Sequence, residues 1–240
     1  MCKIIINRID IVYTGTMTKI LNMDNDPIIV AIDVETSGPN FISNGLLSIG
    51  VTVQDWDMNE LCYFQRNLAL EDNLHFDTEC LNNFWNLHKE AYDFATSNTI
   101  PPRLAMDEFV SFLYEVECKY SNLIIISDNP SFDIGWINLY LSKYTKRYSL
   151  NYSTSGIYRM IWDVGSIQKA WYILKYKKSF NSISSGYKNS FNFVSPYKRD
   201  HIALNDARNI AAFFAHIWKQ IQNEDTFISN KKNPGISCPL

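Results

Sequence analysis

The sequence predicts one α/β domain built on a mixed five-stranded central sheet with helices on both faces. Three observations carry that expectation. Ile28–Val34 and the Leu-Ile-Ile-Ile run within Asn122–Ser127 are apolar and β-branched, as strands covered on both faces are. Leu46–Gln54 and Leu61–Asn67 flank a polar turn at Asp55–Asn59, the pattern of an antiparallel hairpin. After Asp77 the apolar spacing changes to three and four residues, the helical period.

Residues 1–26 read as an N-terminal extension, with short apolar runs at Ile4–Ile6 and Ile9–Val12 between loop-like stretches. The domain proper spans 27–222. Pro27 introduces the first strand, and Gly38-Pro39-Asn40 with Asn44-Gly45 punctuate the turn into the second. Thr78 is the expected N-cap of a helix presenting Leu81, Phe84, Trp85 and His88. Pro101-Pro102 opens another, with Leu104, Phe109, Phe112, Leu113 and Val116 on one side. The fourth strand leads into a helix over Ser131–Lys143. Tyr140, Tyr144 and Tyr148 repeat along this stretch as a packed helix face does. Ile157–Val164 is the expected fifth strand, followed by a helix to Tyr176, with Asp163 as its structural cap. The Ser-, Asn- and Lys-rich 177–200 reads as a mobile loop, Ala203–Gln222 as an amphipathic helix, and 223–240 as a frayed tail.

Composition excludes several classes. Hydrophobic residues at 46% and charged residues at 20% supply a core and rule out wholesale disorder. The apolar run Ile28–Ile32 is far short of the ~20 residues that span a bilayer, so no membrane association is expected. The cysteines at 2, 62, 80, 118 and 238 are odd in number and lack CxxC spacing, which argues against zinc ribbons and disulfide frameworks. With no apolar leader at the N-terminus, an intracellular protein is expected. Charge is uneven: 7 Lys/Arg against 20 Asp/Glu over residues 1–133, then 11 against one over 134–199. An acidic half beside a basic half suits a cation on one side and a polyanion on the other, or a chance clustering of surface charge.

The acids then fall into three segments. In Asp33-Val34-Glu35, a strand places both carboxylates on one side. Such a pair beside apolar residues requires a neutralising charge, and Mg²⁺ prefers oxygen ligands of this kind. Thr36-Ser37-Gly38 adds hydroxyls and amides suited to a sugar hydroxyl or phosphate. Asp133, in Asn129-Pro130-Ser131-Phe132-Asp133, is either a further ligand or a first-turn acid favoured by the helix dipole. His201-Ile202-Ala203-Leu204-Asn205-Asp206 sets a loop histidine ahead of a helical acid.

Taken in order, Asp-x-Glu-Thr, Asn-x-x-Phe-Asp and His-x-Ala-x-x-Asp resemble the DnaQ-like 3′–5′ exonucleases, the DEDD superfamily with a catalytic histidine (DEDDh), over residues 28–220. Leu46-Leu47-Ser48-Ile49-Gly50 is similar to that family's second strand. Asn83–Ala91 is similar to the aromatic-pair helix of phage DexA-type members and their bacterial relatives. Ile202 stands where the tyrosine branch carries Tyr, so the histidine branch fits. The resemblance implies a three-layer ribonuclease H-like fold. It also implies two divalent ions, Mg²⁺ or Mn²⁺, ~3.5–4 Å apart in such sites, held by Asp33, Glu35, Asp133 and Asp206, with His201 as general base. The implied activity releases nucleoside 5′-monophosphates from the 3′ end of single-stranded DNA or RNA. Thr36 would meet the terminal 3′ hydroxyl through its backbone amide or side chain, with Ser37 beside it as a further substrate contact. One of Phe84 and Trp85 would stack on terminal bases while the other packs in the core. Lys198 and Arg199 would grip phosphates. His75, His88 and His216 are expected to be surface or core histidines. A catalytically silent nucleic-acid-binding or partner-docking module on the same fold is the alternative, and a homodimer or a replication or repair partner is compatible with either.

Overall fold

The structure is a computed structural model in which residues 27–146, 149–153, 159–179 and 191–229 are described, the side chains of 224–229 excepted. The expectations for residues 1–26, for Tyr148 and for the end of the tail lie outside these residues.

Five strands form one sheet in the order β3-β2-β1-β4-β5. β1 (Ile28–Thr36) is central. It pairs antiparallel with β2 (Leu46–Gln54), which pairs antiparallel with β3 (Glu60–Asn67). On its other side β1 pairs parallel with β4 (Leu123–Ser127), and β4 with β5 (Ile161–Asp163). The mixed sheet matches the expectation, although the described part of the fifth strand covers only the end of 157–164.

Alternation along β1 decides what the site is built on. Ile28, Val30, Ile32 and Val34 pack in one core with Phe109 and Leu113 of α3 (Pro102–Lys119) and Ile134 and Ile137 of α4 (Pro130–Tyr144). Ile29 and Ala31 face the other way. They meet Val164 of α5 (Val164–Tyr176) and Ile210, Ala211 and Phe214 of α6 (Ala203–Ser229). With a side-chain period of two, Asp33 and Glu35 continue the row that faces α6. Each fully buried Ile or Phe is worth about 1.5–3 kcal/mol, so the two apolar layers hold the sheet and position the acids.

Three segments depart from expectation. The helix after Asp77 is broken into α1 (Thr78–Cys80), a π-helical turn (Leu81–Trp85) and α2 (Lys89–Thr96). Its N-cap is Asp77 rather than Thr78, since the Asp77 carboxylate accepts the Cys80 amide at 2.8 Å. The amide of Asn86 donates to Leu81 O at 2.9 Å, five residues back, and this wider turn delivers Trp85 into the interior. α6 runs to Ser229, past the expected end at 222, because no Pro or Gly interrupts that stretch. The described end of 177–200, read as a mobile loop, carries two anchored side chains among exposed ones: Phe191 is buried with Ile217, and Phe193 packs on Phe213. No helix among the described residues is long and apolar enough to cross a membrane.

Gly50 lies opposite Asp33 in the β1–β2 register, and α6 begins directly over it. A Cβ at Gly50 would lie 2.1 Å from Ala203 C and Leu204 N, both backbone atoms. Gly50→Ala is therefore expected to cost at least about 1–3 kcal/mol through overpacking. Urea denaturation would read this as a lower midpoint with an unchanged slope.

Candidate active site

The acids meet where β1 and β4 end. Both strands run parallel, so their C-terminal ends open at one edge of the sheet. β1 supplies Asp33 and Glu35. The turn after β4 delivers Asp133 in the first turn of α4. α6 contributes Asp206 from its own first turn. The Leu204 amide, at the start of α6, donates to Gln65 Oε1 at 3.1 Å. Gln65 Nε2 in turn donates to Ser48 Oγ at 2.8 Å, which ties the helix start to the sheet.

Electrostatics show how closely these groups crowd. Burial, then the charges of Asp133, Glu35, Asp206 and Asp128, pushes the Asp33 pKa well above the usual carboxylate range. Glu35 is likewise pushed well up, by burial and then by Asp206 and Asp133. Asp133 rises to about 7 through burial, although hydrogen bonds from Ser127 Oγ and the Asn129 amide oppose the shift. Asp206 rises to about 6, again chiefly through burial, with Arg199 pulling the other way. Asp128, overlooked in the sequence, adds to the repulsion on Asp33 and Asp133.

This donor set fits hard divalent cations. Glu35, Asp206 and His201 each offer an atom within 4.8 Å of the others. Asp206 Oδ1 is buried without a hydrogen-bond partner among the described residues, as an oxygen meant for a cation would be. Mutually repelling buried carboxylates are stabilised when a cation neutralises them.

His201 precedes α6 with a left-handed backbone, φ 58°. Its Nδ1 lies 3.8 Å from Asp206 Oδ2, and its side chain is 39% exposed. Burial first, then His88 and Arg199, holds its pKa below the usual imidazole range.

The remaining expected contacts divide. Trp85 is 1% exposed and donates from Nε1 to Thr36 O at 3.1 Å, so it is the core-packed member of the pair and lies beneath the site. Phe84 is the member of the pair that faces the site, its ring 4.8 Å from that of His201. Ser37, expected at the substrate, is placed otherwise. It is fully buried, donates to His75 O at 2.9 Å and accepts the Gly45 amide at 2.8 Å, so its hydroxyl closes the turn. Thr36 Oγ1 donates to Gly38 O at 3.0 Å. Lys198 is exposed and lies 3.7 Å from both Glu90 and Asp200. Arg199 lines a cavity of about 240 Å³ with Asp128, Ser195 and Asn209. Asp163 is the cap the sequence suggested, its Oδ1 accepting the Ser166 amide at 2.8 Å. His88, set aside in the sequence, stands beside His201.

This mixed five-stranded α/β fold, with its acids gathered at one end of the sheet, is shared with solved nucleases. Solved structures sharing it include the nuclease domain of 3′hExo, a DEDDh family member bound to rAMP. That structure has a TM-score of 0.58 at 12% identity, covering 82% of this chain and 94% of its own. Escherichia coli exonuclease I in complex with a dT13 oligonucleotide superposes with a TM-score of 0.61 at 13% identity, covering 86% of this chain and 44% of its own. In sequence, ribonuclease T of Shewanella frigidimarina (strain NCIMB 400) is 32% identical over 120 residues, 45% of this chain and 50% of that protein. The matched stretch thus spans half the length of that relative. No family model matches the chain.

Proposed function

We propose that this chain is a metal-dependent 3′–5′ exonuclease of the DEDDh type, acting on single-stranded DNA or RNA and releasing nucleoside 5′-monophosphates. One observation carries the reading: Asp33, Glu35, Asp133 and Asp206 arrive from three separate segments and crowd closely enough that Asp133 and Asp206 push up the pKa of both Asp33 and Glu35, beside an imidazole whose own pKa is lowered. The likeness to ribonuclease T and to nucleases bound to a nucleotide or an oligonucleotide supports it.

The four carboxylates would hold two divalent ions, Mg²⁺ or Mn²⁺. The chemistry such ions would supply there is neutralisation of the scissile phosphate and a lowered pKa for the attacking water. The chain's own residues do the rest. His201 accepts the proton of the attacking water on a ring nitrogen, which its lowered pKa leaves free at neutral pH. Thr36 meets the terminal 3′ hydroxyl, and Trp85 fixes its carbonyl from below. Phe84 stacks on a terminal base. Arg199, whose charge reaches both His201 and Asp206, contacts the phosphate chain.

One incubation tests this. Strands of DNA and of RNA, labelled at the 3′ or the 5′ end, are treated with Mg²⁺, Mn²⁺ or EDTA and resolved on a gel. The expected result is a ladder shortening from the 3′ end, abolished by EDTA, and the same gel reads the sugar preference. Intact strands with either ion, together with retained binding, would instead assign a silent nucleic-acid-binding module.

A further inference from the structure

The turn between the π-helical segment and α2 touches the segment bearing His201 at several points. The ring of His88 lies 4.2 Å from that of His201, with the planes tilted by 60°. Phe84, one turn earlier, is 4.8 Å from His201 and 4.9 Å from His88, so the three rings close a triangle. Outside the triangle, Lys198 Nζ lies 3.7 Å from Glu90 Oε2, and Asp200 lines one shallow cleft with Asn86, His88 and Ala91.

His201 requires such a seat. Its left-handed φ of 58° is a conformation that residues bearing a Cβ rarely adopt, so surrounding contacts must hold it. Its Nδ1 is 3.8 Å from the Asp206 carboxylate, beyond hydrogen-bond reach. Among the described residues the imidazole makes no hydrogen bond that would fix its plane, which leaves ring packing to do so. His88 is placed for that work: it occupies the N-cap position of α2 and makes no side-chain capping bond there.

We infer that His88 is a positioning residue, which with Phe84 forms the aromatic seat that holds the His201 ring toward the acids. Its contribution is the flat face of a ring, not a proton or a ligand atom. The inference rests on the nuclease reading above, in which His201 must be oriented to receive a proton. A base displaced by about 1 Å can lose roughly 100-fold in rate.

The test compares wild type, His88→Ala and His88→Phe on one 5′-labelled oligonucleotide with Mn²⁺, measuring kcat and KM. His ring resonances of the metal-free proteins are recorded by NMR in parallel. His88→Ala is expected to lower kcat roughly 10- to 100-fold with KM nearly unchanged, and to displace the His201 ring signal. His88→Phe, which restores a ring without nitrogens, is expected to recover most of kcat. Wild-type kcat in His88→Ala, a rise in KM alone, or no recovery in His88→Phe would each overturn the inference while leaving the nuclease reading intact. Absence of hydrolysis by the wild type would overturn both.

Discussion

His201→Ala is expected to lower the rate of 3′-end hydrolysis by roughly 10²–10⁴-fold, the usual range for a lost general base, while leaving divalent-ion affinity close to that of the wild type. The reason is geometric. His201 stands at the edge of the cluster, its Nδ1 3.8 Å from Asp206 and a ring nitrogen within 4.8 Å of Glu35, and a hard cation prefers the carboxylate oxygens that remain. The pH profile gives a second reading. Burial, His88 and Arg199 all favour neutral imidazole, so the acid limb of the wild-type profile should lie below the ordinary imidazole pKa of ~6.5. In His201→Ala that limb should vanish from what activity is left. Titration of metal into each protein, followed by tryptophan fluorescence, checks the affinity. A His201→Ala enzyme with wild-type turnover would remove the histidine from the chemistry.

Asp33→Asn is expected to separate function from stability. Losing one carboxylate from the cation cluster should cost several kcal/mol of transition-state stabilisation, roughly 10²–10⁴-fold in kcat. In EDTA the same change should raise the Tm at pH 8. Asp33 has a folded-state pKa well above its unfolded value, as do Glu35, Asp133 at about 7 and Asp206 at about 6. A carboxyl raised in this way binds its proton more tightly when folded. Its stabilising contribution is present at low pH and is lost as pH rises from about 4 through the folded-state values near 6 and 7. The metal-free wild type should therefore become less stable from pH 5 to pH 8, and Asp33→Asn should flatten that slope. Saturating Mn²⁺ should restore wild-type stability at pH 8 and do little for the variant. Calorimetry across this pH range, with and without metal, gives all four curves. Identical slopes for the two proteins in EDTA would show that the Asp33 carboxyl is not raised on folding.

The sequence by itself determined the layout of the domain. The apolar runs at Ile28–Val34 and Leu123–Ile126, and the hairpin closed at Asp55–Asn59, became β1, β4 and the β2–β3 pair because strand period and turn composition are local properties. Four acids and His201 could be singled out for the same reason: each stands beside a strand end or a helix start recognisable within a few residues. Asp163 was legible as a cap because its partner is three residues away.

Tertiary structure alone decided which side chains reach the site. Phe84 and Trp85 are adjacent, and only the π-helical turn sends Trp85 inward to Thr36 and leaves Phe84 beside His201. Ser37 looked available until the turn consumed its hydroxyl on His75 O and the Gly45 amide, from residues 38 and 8 positions away. His88 carried no local signal at all, because its partner lies 113 positions along the chain and a ring contact at that separation leaves no periodicity to read. Local chemistry is written in neighbouring residues, whereas proximity between distant ones arises only when burial of the two apolar layers folds the sheet between its helices.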